Sequence, residues 1–501
     1  MSIAKVFSRA RVGIDAPLIT VEAHVSNGLP AITLVGLPET AVRESRDRVR
    51  AAILSSGFEF PPRRLTINLA PADLPKEGAR FDLAIAIAIL AVTGQIPNTD
   101  AHTLSAYEFL GELSLDGGLR SVSGTLPAAI GARDHERTLI LPPGSAAEVA
   151  VISDVQARTA AHLTSVVAHL AGQQILDAVL PITHPIPNLA IDGDLSEVKG
   201  QPRAKRALAI AAAGSHNLLL IGPPGAGKSM LAQRLPGILP PMTETEAIEA
   251  AKIASVSSAG FNPQRFGIRS FRAPHHSASS VALIGGGSNP KPGEISLAHH
   301  AVLFLDELPE FDRKVLEALR EPMENGHITI SRAAQQAEFP ARFQLIAAMN
   351  PSPQGTEIHS RAAQRYRAKL SGPLLDRIDM HLEIPRVPAS ALSEAGGQEA
   401  TSAEVREQVI RARSVMMARQ GMPNAFLSPR NLETAAALST ADKVFLNQAL
   451  EKLKLSGRAR DRILKVARTI ADLDQKSAID TAALSEAMGY RNLDRLFSPP
   501  V

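Results

Sequence analysis

The chain has 501 residues, 45% of them apolar, no cysteine, no tryptophan and a formal net charge of +3. A length prior of ~150 residues per domain predicts about three domains. Without cysteine, a disulfide framework and a thiolate zinc site are excluded, which fits a reducing compartment, and so small a net charge leaves any nucleic-acid partner to local basic patches rather than a global field.

The opening, "MSIAKVFSRARVGIDAP", lacks the apolar core of a secretory signal. In "VGLPETAVRESRDRVRAAI", Arg43, Arg46 and Arg50 recur at helical spacings, and a solvated helix face accounts for them. The run Leu83 to Val92, "LAIAIAILAV", is too short to span a bilayer and predicts a buried helix. A soluble, cytoplasmic protein without a membrane partner is therefore expected. A proline- and glycine-rich stretch, Leu180 to Leu195, predicts a linker that closes a first α/β domain over residues 1–180.

Next comes "LLLIGPPGAGKSML" from Leu218 to Leu231. Leu218 to Ile221 reads as a buried strand and Lys228 onward as a helix. Between them stand Gly222, Pro223, Pro224, Gly225, Ala226, Gly227, Lys228 and Ser229, the spacing of a phosphate-binding loop. Its glycines let backbone N–H groups turn inward around phosphate oxygens, and the positive end of the following helix adds to that field. Lys228 would reach the β- and γ-phosphates, and the Ser229 hydroxyl would ligate Mg²⁺. ATP with Mg²⁺ is the expected cofactor.

The stretch Arg269 to Ser296 mixes bases, histidines and a glycine run, longer than a minimal core needs. "AVLFLDE" then gives an apolar strand ending in two carboxylates. Asp306 would hold the Mg²⁺ shell, and Glu307 is placed to orient and deprotonate the attacking water. Gly326 to Met349 alternates like a β-hairpin with "RAAQQ" near its tip, and Phe343 to Asn350 predicts a further buried strand. Asn350 can contact the γ-phosphate or the lytic water, although an asparagine before proline also makes an ordinary turn. Arg377 lies between two acids in a helix-to-strand turn, either salt-bridged at the surface or able to reach a neighbouring subunit's γ-phosphate with its always-charged fork. The pairs His275–His276 and His299–His300 raise a zinc site, but adjacent histidines diverge and four convergent ligands are needed, so Mg²⁺ is the one metal expected. This nucleotide-binding core is expected over 181–390. A small-residue bridge, Ala389 to Val405, then leads to amphipathic helices over 391–501, one carrying Val405, Val409, Ala412 and Met416 on a face and the next Ile463, Val466, Ala467 and Ile470.

The ordered set GPPGAGKS, FRAPHHSAS, GGGSNPKPGEISLAHHAVLFLDELPEF, AAMNPSP, SGPLLDRID and SGRARDRILKVARTIADL resembles the ComM/YifB family of magnesium-chelatase-like AAA+ ATPases. The resemblance implies that Asp306 and Glu307 are the Walker B pair, Asn350 sensor 1, Arg377 a trans-acting arginine finger and Arg458 the sensor 2 arginine, with Arg460 and Arg462 as near alternatives. It implies a ring, in this family a hexamer, and a C-terminal helical lid. Two projections would face its pore, with Arg332 and Lys291 as DNA-contact candidates toward phosphates; the alternative for both is a solvated loop. Two N-terminal stretches, "INLAPADLPKEGARFDLAIAIAIL" and "FLGELSLDGGLRSV", resemble the Lon-type peptidase fold, with Arg80 and Arg120 at the places of its catalytic serine and lysine. A guanidinium is neither a nucleophile nor a usable base, so peptidase chemistry is not expected. The function implied is an ATP-driven helicase acting on single-stranded and branched DNA, promoting branch migration as transforming DNA is integrated by recombination. The alternative is a chelatase-type ATPase that remodels a protein partner.

Overall fold

A computed structural model describes residues 3–36, 40–76, 78–182, 193–287, 290–331, 336–353, 360–388, 399–453 and 456–491. The chain divides into two compact units: Met1–Pro187 with Ala247–Phe266, and Asn188–Glu246 with Gly267–Val501. Most of each expected linker, residues 183–192 and 389–398, lies outside the described residues.

The first unit is built on a mixed eight-stranded sheet. Its strands are β1 (Ile3–Arg9), β2 (Leu18–Ser26), β3 (Ala31–Val35), β4 (Arg64–Ala70), β5 (Tyr107–Phe109), β6 (Thr138–Leu141), β7 (Ala157–Thr159) and β8 (Asp177–Ala178). They lie in the order β8-β7-β6-β5-β1-β2-β4-β3. β1, β2 and β4 alternate between buried and more exposed positions, so each offers one face to the core. Helix α1 (Thr40–Ser55) carries the expected arginine-rich stretch, and α2 (Asp82–Val92) is the expected apolar helix. With apolar residues on every side, α2 has no face for water and packs across β1 and β2 beneath α1. The segment Ala247–Phe266 belongs to this unit although it follows the phosphate loop in sequence. Ala251 packs with Leu126, Val151 and Ile152, and Ser255 donates its hydroxyl to Glu148. Arg80 is buried, with its guanidinium on the backbone carbonyls of Arg9 and Ser123, whereas Arg120 is largely exposed 3.9 Å from Glu112.

The second unit holds a five-stranded sheet in which every pairing is parallel. Its strands are β9 (Leu218–Ile221), β10 (Phe271–Arg272), β11 (Val302–Leu305), β12 (Gln344–Met349) and β13 (Met380–Glu383), in the order β10-β11-β12-β9-β13. β9, β11 and β12 are buried throughout; β9 and β11 are unbroken apolar runs, as a parallel sheet favours, and the Gln344 amide that opens β12 is satisfied by the Ala211 and His216 carbonyls. Because the strands run the same way, the residues after their carboxyl ends share one edge, where α/β folds place ligands. The register, Ile221↔Met349 and Leu305↔Ala347, sets Asn350 between the phosphate loop and Asp306. Helices α3 (Pro202–Gly214) and α4 (Lys228–Ile238) share one apolar core with the C-terminal α5 (Ser402–Gln420), α6 (Gly457–Leu473) and α7 (Thr481–Gly489). α5 opens on a reciprocal cap between Thr401 and Glu404 and presents Val409, Ala412 and Met416 inward. The expected hairpin forms between His327–Ser331 and Gln336–Pro340. Among the described residues, no helix is long and apolar enough to cross a membrane.

Candidate active site

At the carboxyl edge of the five-stranded sheet, the phosphate loop turns directly from β9 into α4. Gly222 is required by close approach, since a Cβ there would strike the Ile384 backbone carbonyl. Gly227, at φ 87, takes the left-handed conformation from which α4 starts, a backbone state that side chains with a Cβ resist. Lys228 is largely buried, and its Nζ donates to the Gly222 carbonyl at 2.7 Å, the Pro223 carbonyl at 3.0 Å and Asn350 Oδ1 at 3.1 Å. Burial pushes this ammonium below its usual range, and the Asp306 and Glu307 carboxylates oppose that push.

Ser229 Oγ donates to Asp306 Oδ2 at 2.6 Å, while Asp306 Oδ1 accepts the Glu307 backbone N–H at 2.9 Å. Glu307 itself sits at φ 53, left-handed for a residue with a side chain. Such backbone strain persists where surrounding structure over-determines it, often at functional positions. Its carboxylate Oε2 lies 3.3 Å from His276 Nδ1, and the His275 and His276 rings lie against each other, tilted by 33° with centroids 4.1 Å apart.

Arg377 folds back onto its own chain: Nη1 donates to the Pro373 carbonyl at 2.8 Å and Nη2 to Glu324. The three arginines near the start of α6 differ in commitment. Arg458 is exposed, and its charge helps to depress the Glu324 carboxyl after the larger effect of Arg377. Arg460 pairs with Asp461 at 3.1 Å, and Arg462 with the buried Asp379 at 2.6 Å. Lys291 is exposed on a short ladder with Gly286, whereas Arg332 lies outside the described residues.

Three family models match the chain: "Magnesium chelatase, subunit ChlI" over 194–392, "Subunit ChlI of Mg-chelatase" over 21–145, and "Magnesium chelatase, subunit ChlI C-terminal" over 399–491. The Competence protein ComM of Haemophilus influenzae is 51% identical, with 99% of each chain covered. This chain belongs to the ComM/YifB family of magnesium-chelatase-like proteins. The uncharacterized protein YifB of Escherichia coli is 49% identical over 99% of this chain and 98% of its own. An uncharacterized protein of Mycobacterium tuberculosis is 40% identical over 98% of this chain and 99% of its own.

Nucleotide and Mg²⁺ use is what a magnesium-chelatase-like family implies, and the donor set fits both. The Ser229 hydroxyl and Asp306 carboxylate offer a hard cation two oxygens already side by side. The buried Lys228 ammonium stands at the mouth of a loop that leads into a helix N-terminus. Sequence reading missed several residues that shape this ComM/YifB-type site. Gln201 braces the loop by donating to the Ala226 carbonyl at 2.9 Å, and His276 and Glu324 hold Glu307 and Arg377. Only His276 carried a signal, as one of a conspicuous histidine pair weighed for metal rather than for a carboxylate.

Proposed function

We propose that the chain is an ATPase that assembles into a hexameric ring and couples hydrolysis to movement along DNA, promoting branch migration while transforming DNA is integrated. The observation that carries the ATPase reading is the convergence of Lys228, Ser229, Asp306, Glu307 and Asn350 on one sheet edge. The DNA reading draws on full-length similarity to a protein named for competence.

Bound nucleotide would supply the γ-phosphoryl group and Mg²⁺ the neutralisation of its charge. Lys228 would exchange its carbonyl partners for phosphate oxygens, and Ser229 with Asp306 would hold the cation. Glu307 takes the proton of the attacking water, released from His276 as it turns toward it. Asn350 orients that water or the γ-phosphate. Arg377 leaves Glu324 to reach the neighbouring subunit's pocket, a contribution worth ~10³–10⁵ in turnover where arginine fingers have been removed. Arg458 is the lid arginine on this reading, because Arg462 is held by Asp379. The exposed Lys291, with Arg332, would face the threaded strand. The N-terminal unit would be a peptidase-like fold without that chemistry, with Arg80 bound to carbonyls where a nucleophile would stand.

ATP turnover with and without single-stranded DNA, beside Glu307→Gln, tests the proposal. Stimulation by DNA that the variant loses supports it. Stimulation only by a protein partner would favour the alternative, a chelatase-type ATPase that remodels that partner.

A further inference from the structure

The turn that carries Arg377 is gripped from the C-terminal helices. Arg462 Nη1, on α6, donates to the Arg377 carbonyl at 3.4 Å, and Arg491 donates to the carbonyl of Ile378. Asn217 Nδ2 donates to the same Arg377 carbonyl at 3.2 Å. The next charged residue, Asp379, is 3% exposed and ties these donors together. Its carboxylate accepts from Arg462 Nη1 at 2.6 Å and from the Asn217 backbone N–H at 2.9 Å, with His216 Nδ1 at 3.7 Å. His216 Nε2 lies 2.7 Å from Thr469 Oγ1, so α6 touches this cluster at two points on one face. Asn217 in turn immediately precedes β9, whose far end opens into the phosphate loop.

A buried ion pair is a poor device for stability alone, because apolar filling of the same volume serves as well. What it supplies is one defined geometry, and here that geometry belongs to the arginine turn. We propose that Asp379 is a positioning residue through which α6 sets the reach of Arg377, so that the C-terminal helices of one subunit govern hydrolysis in the pocket of its neighbour. The proposal rests on the reading of Arg377 as a finger supplied in trans. It adds a direction of signalling: a shift of α6 moves Arg462, Arg462 moves Asp379, and the turn follows.

Mixed rings test it. Subunits carrying Lys228→Ala, which keep the finger but lack a working pocket, are combined with subunits carrying Arg377→Ala, which keep the pocket but lack the finger. Each mixture is checked for full-size rings, and its ATP turnover is compared with that of either variant alone. The expected result is regained turnover in the mixture. Adding Asp379→Asn to the Lys228→Ala subunit should then lower that regain ~10-fold or more, as small displacements of a reacting group do. The same change placed on the Arg377→Ala subunit should cost far less, and this arm controls for a general folding defect. Arg462→Lys, which keeps the charge but loses the fork, should repeat the donor-side loss. Regain that ignores donor-side Asp379→Asn, or equal losses on both sides, overturns the positioning role. No regain in the unmodified mixture overturns the trans reading of Arg377 and the positioning role with it.

Discussion

Asn350 Oδ1 accepts a hydrogen bond from Lys228 Nζ at 3.1 Å, across the boundary between β12 and the phosphate loop. On the proposed ATPase reading, the side chain that would contact a γ-phosphate is thus already engaged with the side chain that would bind it. On that reading Lys228 exchanges its two carbonyl partners for phosphate oxygens, and Asn350 stays beside it, turned to the water or the γ-phosphate. Asn350→Ala should lower kcat by ~10²-fold, the scale for losing one preorganised polar group, with a much smaller change in KM. Steady-state ATPase kinetics check the split; an equal rise in KM with kcat kept would refute it.

Glu307→Gln keeps the shape of the side chain but removes its basicity. Turnover should fall by ~10²–10⁴-fold while nucleotide affinity stays within a few-fold of the parent. Equilibrium binding of a fluorescent ATP analogue, beside turnover, measures both. Tight binding with undiminished turnover would place the base elsewhere.

Glu324 and Arg377 form a pair whose acidic partner is largely exposed. Such pairs contribute ~0–1 kcal/mol, so Glu324→Gln should change turnover less than ~5-fold. Arg377→Ala should cost ~10³-fold. Comparable losses from the two variants would mean that Arg377 acts through Glu324 within its own chain.

Gly222 and Gly225 separate by physical cause. A Cβ on Gly222 would meet the Ile384 carbonyl, whereas around Gly225, at φ 77, it would meet nothing within 4 Å. Gly222→Ala should therefore destabilise by ~1–3 kcal/mol through overpacking. Gly225→Ala should cost ~1–2 kcal/mol through left-handed strain alone. Both costs are read from denaturant unfolding. The first should also disturb pairing of β9 with β13, visible as faster amide exchange at Ile384, whose N–H bonds the Ile221 carbonyl at 2.8 Å.

Burial would raise the Asp379 carboxyl, but Arg462 and His216 outweigh it and hold the group well below the usual carboxylate range. With the folded value depressed, its stabilisation is complete above the unfolded value of ~4 and is lost as pH falls from there through the folded value. Arg462→Met leaves that charge buried without its main partner and should cost ~3–5 kcal/mol at neutral pH. Its stability should also fall less steeply than the parent's below pH ~4, where the variant's carboxyl protonates more readily. Unfolding curves across pH for both proteins decide this; parallel acid limbs would show that the pair does not act as described.

Much of the site was legible because its pieces are local. β9 and β11 are unbroken apolar runs, each ending in the residues that carry the chemistry, and the run in α2 announced a helix with no exposed face. Local pattern also predicted the hairpin from His327 to Pro340. Asn217, Glu324 and Asp379 were not legible, and His276 only as one of a histidine pair, because each acts on partners far along the chain through contacts that no spacing encodes.

The sequence by itself determined that β9 and β11 are buried strands, that α2 is a buried helix and α5 and α6 are amphipathic ones, and where the glycine-rich loop, the carboxylate pair and the arginines stand along the chain, since backbone preference and apolar periodicity act over neighbouring residues. Only the tertiary structure decided that β12 lies between β9 and β11, bringing Asn350 to Lys228, and that Ala247–Phe266 packs with the N-terminal unit. It also decided which arginine of α6 is held by Asp379. The physical reason is that strand order and buried charge pairing minimise the free energy of the whole packed unit, to which residues hundreds of positions apart contribute together.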